Sequence, residues 1–382
     1  MRQPDAPGGT ASAGGVTLSD EQRVAWLRLT RSENVGPAGF RALINTYGSA
    51  QAALEAIPEL SRRGGARSAI RIASAAEAEA EMEAAARIGA RFVGIGEPLY
   101  PPWLRQADAP PPLIAVRGSP KHLTSPAIAI VGARNASVAG RKVAALLAKG
   151  VGDADFAVVS GLARGIDAAA HEAALANGTV AVFAGGIDIV YPPENTELFA
   201  RILDADGCAL SEMRIGWEPR ARDFPRRNRI IAGMALATVV VEAAERSGSL
   251  ITARLALEQN RELLAVPGSP LDPRAAGSNN LLKQGARIVT DARDIIETVT
   301  PMLERPPAID PSIFKAPAPQ EPPEPAEDDR SRILEALGPT PVEVDEIIRF
   351  TGLPTRIVHV ILLELDLAGR IERHPGQRVS LR

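Results

Sequence analysis

Four things are scarce in this chain of 382 residues, and each scarcity removes a class of protein. There is one cysteine, Cys208, so disulfide frameworks and cysteine-based zinc sites are excluded by count; inside the apolar run CALSEM it reads as a small buried hydrophobe. Aromatic residues make up only 4% of the chain, so any stacking surface must rest on a few rings. No apolar run approaches the roughly 18 residues of a membrane helix. The opening MRQPDAPGGTASAGG has no apolar core either, so residues 1–16 are expected to be a disordered tail rather than a signal peptide, and the protein cytoplasmic with no membrane contact. Positive charge is not in excess: the net charge is −3 and the pI about 6.0, which does not advertise a binder of polyanions. Local charge matters more than the total.

What the chain does have, between Ala127 and Arg287, is a series of short apolar runs that end in glycine-bearing loops and lead into helices. AIAIVGARNAS passes from a strand through Gly132, Ala133 and Arg134 to a hydroxyl at Ser137 that opens a helix. AVVSGLARGIDAAAH repeats the logic with Gly161, Arg164 and Gly165, and TVAVFAGGIDIVYPPEN brings a third strand and a Gly185-Gly186 turn. TVVVEAAERSGSLITARLALEQ adds a fourth strand that leads to Arg246, Ser247, Gly248 and Ser249 at a helix start. In parallel α/β sheets ligands bind beyond the carboxyl ends of the strands. Helix N-termini there favour anions, and glycine lets a phosphate approach the main chain. None of these loops is a G-x-x-x-x-G-K-[ST] P-loop or a clean G-x-G-x-x-G fingerprint, so the expectation is phosphate binding without nucleotide hydrolysis.

VGARNAS, SGLARGIDAAAH, FAGGIDIVYPPEN, FPRRNRIIAGMA, VEAAERSGSLITARLALEQNRELLAVPG and GSNNLLKQGA, in that order, resemble the DNA-processing protein A family, DprA or Smf; YPPWLRQADAPPPLIAVRG resembles its lead-in. The likeness runs from about Tyr100 to Asp291. It implies a single-stranded DNA-binding protein of natural transformation, which protects incoming strands and helps load the recombinase RecA. It also implies an extended Rossmann-like domain that dimerises, with a DNA pocket built from the loop matching Gly132, Arg134 and Ser137 and the loop matching Arg246 to Ser249. Related proteins often have Gly-Ser-Arg or Gly-Thr-Arg where this one has Gly132-Ala133-Arg134, which loses a hydroxyl but keeps the arginine.

The segment from Arg214 to Arg229 holds Arg214, Arg220, Arg222, Arg226, Arg227 and Arg229 against Glu218 and Asp223. Phe224 and Asn228 lie among them, and single-strand binders pair a positive groove with aromatic stacking. This segment is therefore expected to touch DNA. Lys283, Asn279, Asn280 and Gln284 are candidates for a pocket rim. His171 and Asp167 read as structural, with no partners at metal spacing. Tyr191-Pro192-Pro193 reads as a rigid turn, or as a flank of the ligand. No cofactor or catalytic residue is expected.

The rest of the chain divides around this core. Residues 17–90 read as a small helical, SAM-like or helix-hairpin-helix domain, for which packing is at least as good a reading as phosphate contact. Residues 91–304 read as the extended Rossmann-like parallel sheet. Residues 305–329 read as a Pro-rich linker, and 330–382 as a winged helix. Its third helix offers Arg356 and His359 but also Glu364 and Asp366, which favours a protein contact over DNA. The function expected is a non-catalytic single-stranded DNA-binding mediator. The alternative is a nucleotide-processing enzyme of the phosphoribohydrolase kind, but the loop ERSGSLITA lacks that group's glutamate, and hydrolysis needs a positioned acid or base.

Overall fold

The computed structural model of the protein describes residues 17–304, 325–374 and 376–382. The expected tail at 1–16 and residues 305–324 of the expected linker lie outside the described residues.

Four helices come first: α1 (Asp20–Arg31), α2 (Pro37–Tyr47), α3 (Ala50–Arg63) and α4 (Ala75–Arg87). Their ends are written locally. Ser19 with Gln22 and Ser74 with Glu77 form capping boxes, and Gly48 ends α2 with φ 76°, a left-handed conformation that glycine adopts without a Cβ penalty.

A nine-stranded sheet follows: β1 (Ala90–Gly94), β2 (Leu113–Gly118), β3 (Ala127–Val131), β4 (Ala157–Ser160), β5 (Thr179–Val182), β6 (Cys208–Ser211), β7 (Ala237–Val240), β8 (Glu262–Ala265) and β9 (Arg287–Ile288). The helices between them are α5 (Pro102–Arg105), α6 (Val138–Gly152), α7 (Ile166–Ala173), α8 (Thr196–Asp204), α9 (Asp223–Met234), α10 (Gly248–Glu258) and α11 (Ala276–Lys283), and α12 (Ala292–Leu303) closes the unit. The spatial order is β1-β2-β6-β5-β4-β3-β7-β8-β9. Pairing is parallel from β6 through to β9, whereas β1–β2 and β2–β6 are antiparallel. The sheet is thus mostly parallel with an antiparallel extension that strand periodicity alone does not specify.

Burial explains why the central strands read as unbroken apolar runs, because helices cover both faces. Ile128 and Ile130 of β3 join one core, with Val158, Val239 and Leu147, while Ala127, Ala129 and Val131 join the other, with Val159 and Val240. Successive side chains of a strand point to opposite faces. At the β1 edge, Arg23 Nη1 donates to Phe92 O and Glu97 accepts from Gly94 N–H at 2.6 Å, so an ion pair occupies main-chain groups that would otherwise template another strand.

The chain moves outward from β3 through β4, β5 and β6, then returns to the other side of β3 as β7. The crevice between the carboxyl ends of β3 and β7 is the topological switch point, where ligands bind in such folds.

The last unit is α13 (Glu327–Ala336), β10 (Val342–Glu343), α14 (Val344–Thr351), α15 (Thr355–Leu367), β11 (Ile371–His374) and β12 (Arg378–Leu381), with sheet order β10-β12-β11. This is a winged helix. Its first helix begins at Glu327, within the stretch expected to be linker, because Glu327, Asp328 and Asp329 suit the positive end of a helix dipole.

Candidate nucleic-acid interface

The switch point opens into a cavity of about 590 Å³. The loop after β3 contributes Gly132, Arg134 and Asn135, the loop after β7 contributes Arg246, Ser247, Gly248 and Ser249, and α9 contributes Phe224, Arg227, Asn228 and Ile231. The α9 residues recur at i, i+3, i+4 and i+7, one face of a helix. Asp223 starts that helix, with its Oδ2 accepting from Trp217 Nε1 and Arg220 N–H, both at 2.9 Å. At the opposite wall, Ser247 caps α10 and accepts from Ser249 N–H at 3.3 Å, which leaves Gly248 exposed at the helix's positive end.

A smaller recess of about 260 Å³ shares Arg134, Phe224 and Arg227 with this cavity and adds Gly161, Arg164, Tyr191 and Glu194. Phe224 is the corner post of both. The guanidinium of Arg134 lies 5.1 Å from its ring centroid, that of Arg227 5.9 Å, and the Tyr191 ring 5.4 Å away at 57°. Tyr191 is 46% exposed, so this cation–aromatic corner faces solvent.

Burial separates the arginines of the site. Arg134 and Arg246 are exposed, and Arg164 makes only a long, exposed ion pair with Glu194 at 3.9 Å. Arg227 is 6% exposed and donates through Nη1 to Gly161 O and Val182 O, both at 2.6 Å, so it ties the loops after β4 and β5 to α9. Desolvation lowers its pKa to about 10, which leaves it charged at neutral pH. Asp167, also buried, accepts from Gly161 N–H at 3.1 Å; burial raises its carboxyl, and Arg227 opposes that rise. His171 is wholly buried: Nε2 accepts from Leu162 N–H at 3.3 Å, so Nδ1 carries the proton and donates to Thr179 Oγ1 at 2.7 Å. Its role is structural.

Several residues expected to hold the ligand are taken up by the protein's own contacts. Ser137 caps α6 by accepting from Gly140 N–H at 2.8 Å, and its own N–H and hydroxyl both donate to the Glu242 carboxylate. The N-terminus of α6 is thus filled by an internal anion, not left open for a phosphate. Gly161 is glycine because a Cβ would lie 2.2 Å from Arg227 Nη1. Gly165, at φ +79°, admits the Ala133 carbonyl within 2.2 Å of where a Cβ would be, so it locks the two loops together. Gly186 is buried beneath the 214–217 turn, donating to Trp217 O at 2.9 Å. Arg226 and Arg229 sit on the far side of α9 and both bind the buried carboxylate of Glu212. Lys283 ends α11, away from the cavity lining, and Asn279 is committed to both main-chain groups of Gly268 at 3.0 and 2.9 Å. Tyr191 belongs to the site, and so does Asn135, whose place next to Arg134 was its only sequence signal. Glu242 and Glu212 had none, because their roles depend on contacts 105 and 14 to 17 residues away.

Fold and site together define an extended Rossmann-like protein with an arginine-lined, aromatic-edged cleft at its switch point. Residues 91–300 match the family described as DNA recombination-mediator protein A, residues 20–84 a DprA-like N-terminal HHH domain, and residues 316–377 a DprA winged helix domain. Protein Smf of Synechocystis is 34% identical over 321 residues, covering 76% of this chain and 80% of the relative. Protein Smf of Escherichia coli is 39% identical over 285 residues, covering 74% and 75%. Among solved structures, DNA processing protein A of Streptococcus pneumoniae superposes with a TM-score of 0.59 at 29% identity, covering 74% of this chain and 99% of that one. DNA processing protein A of Helicobacter pylori, a structure that describes single-stranded DNA binding, gives 0.51 at 26% identity, covering 56% and 96%. The chain belongs to the DNA recombination-mediator protein A family.

Proposed function

We propose that this protein binds single-stranded DNA, without reading its sequence, as a recombination mediator, and that the switch-point cleft holds the strand. The observation that carries this reading is the pairing of three exposed arginines, Arg134, Arg164 and Arg246, with the Phe224–Tyr191 corner between them. Phosphates suit the arginines and the α10 N-terminus, and unstacked bases suit the rings, each stacked base contributing roughly 1–3 kcal/mol. A duplex keeps its bases inside the stack and offers the rings nothing.

The cleft is non-catalytic in this reading. Of the carboxylates near it, Asp167 is engaged by Gly161 N–H and Glu242 by Ser137, and exposed Glu194 lies in a long ion pair with Arg164. Protection of incoming strands, RecA loading and a homodimer formed through the Rossmann-like unit complete the proposal, on the strength of family membership. Light scattering of the free protein tests the dimer: a monomer mass across the micromolar range would remove it.

Three phosphate contacts per cleft set the salt dependence. Single strands give a log–log slope of roughly −0.7 per neutralised phosphate, so one cleft should give about −2 and a dimer engaging both about −4. Titration of a labelled dT oligomer at several salt concentrations reads this directly. A slope near zero would remove the strand from the cleft.

A further inference from the structure

The carboxyl-terminal half of α15 is buried on nearly every side, with Asp366 partly exposed. Ile361, Leu362, Leu363, Glu364, Leu365 and Leu367 are each at most 2% exposed. A helix buried all round lies between two partners. One partner is the winged helix itself, whose core takes Ile361, Leu362 and Leu365. The other is the N-terminal helical unit: Leu363 and Leu367, at i and i+4, pack in one core with Phe40, Leu43, Leu54 and Ile57.

Polar contacts fix the register of this packing. Asn34 Nδ2 donates to Leu367 O at 3.0 Å, and Arg370 Nη1 donates to Gly64 O at 3.3 Å. Glu364 is wholly buried and is held in place by Arg330 through bonds of 2.8 and 2.9 Å. Gly64, at the end of α3, would place a Cβ 2.0 Å from the Glu364 carbonyl oxygen. Its φ of −69° suits any residue, so the approach of α15, not the local backbone, is what requires glycine there.

We infer that the winged helix is a docking module whose partner is this chain's own N-terminal helical unit, with α15 as the inserted helix. The mode is that of an amphipathic helix laid in an apolar groove. Charge is compatible with this: from Glu327 to Arg382 ten acidic residues stand against eight basic ones, without the excess of positive charge that a phosphate backbone attracts. The exposed half of α15 offers only Arg356 and His359. The N-terminal helical unit and the winged helix therefore form one body, and the winged helix does not serve as a duplex reader.

The test uses the full chain with a specific protease site inserted between 305 and 324. After cleavage, size-exclusion chromatography should show the carboxyl-terminal fragment co-eluting with the remainder. The same cut in Gly64→Leu should release it, with the far-UV circular dichroism unchanged. Duplex affinity measured by anisotropy should agree within about twofold between uncut wild type and uncut Gly64→Leu. Release of the fragment from the wild type, or its retention by folded Gly64→Leu, overturns the docking. A gain of tenfold or more in duplex affinity by Gly64→Leu overturns the exclusion of duplex reading. Should Gly64→Leu fail to fold, Gly64→Ala gives the same comparison, since a Cβ alone meets the Glu364 carbonyl.

Discussion

An arginine on this protein is defined by what its guanidinium touches. Arg134 is exposed and lies against the Phe224 ring, so its charge is available to a phosphate. Arg134→Ala should weaken single-strand binding and reduce the steepness of the salt slope by about 0.7 per cleft, with an unchanged melting temperature. Arg227, two carbonyls deep in the protein, should behave in the opposite way. Arg227→Leu strands the Gly161 and Val182 carbonyls, at roughly 1–3 kcal/mol each, so urea denaturation should show a loss of about 2–6 kcal/mol. A variant as stable as wild type would contradict that role. His171 supplies a pH dependence. Burial, with the charge of Arg227 as a second cause, lowers its pKa to about 3, whereas the unfolded chain takes up that proton near 6.5. Its contribution to stability is fully present above about pH 6.5 and is lost as pH falls toward 3, by at most ~1.4 kcal/mol per unit. Urea midpoints at pH 7 and pH 5 should draw apart in wild type and less so in His171→Gln; equal separations would assign the proton elsewhere.

At the scale of elements, the strands, their glycine loops and the helix caps were legible because each is a local pattern. Tyr47-Gly48-Ser49 breaks a helix, and AIAIV, all five residues buried, is a central strand. The basic segment was only half legible. Read as a linear cluster, Arg226, Arg227 and Arg229 all face DNA; wound on α9, Phe224 and Arg227 face the cleft while Arg226 and Arg229 turn to Glu212. The helical period separates them, but the identity of the far-side partner is a tertiary fact. The start of α6 teaches the same lesson. Glycine, hydroxyl and helix N-terminus together suggest a phosphate cradle, but Glu242 arrives from the loop after β7 and fills it. Ser137→Ala should therefore cost about 1 kcal/mol of stability, as a lost cap does, and leave the salt slope of DNA binding unchanged. Thermal melts and the anisotropy series report the two separately; a flattened slope would return Ser137 to the binding surface.

For the whole molecule, strand order decides where function lies. Return of the chain to β7 beside β3 places the Arg134 and Arg246 loops across one crevice, although 112 residues separate them in sequence. A net charge of −3 is compatible with a polyanion partner because local charge outweighs the total: exposed Arg134, Arg164 and Arg246 line this crevice and its adjoining recess, while Glu212 holds Arg226 and Arg229. The central claim is that the crevice grips a single strand through Arg134 and its neighbours. Its most direct test is fluorescence anisotropy of a labelled dT oligomer and a matched duplex, at low and moderate salt, with wild type and Arg134→Ala. The account predicts tight, salt-sensitive binding that prefers the single strand and is substantially weakened in the variant. Equal affinity for strand and duplex, or an Arg134→Ala protein that binds as wild type does, would contradict it.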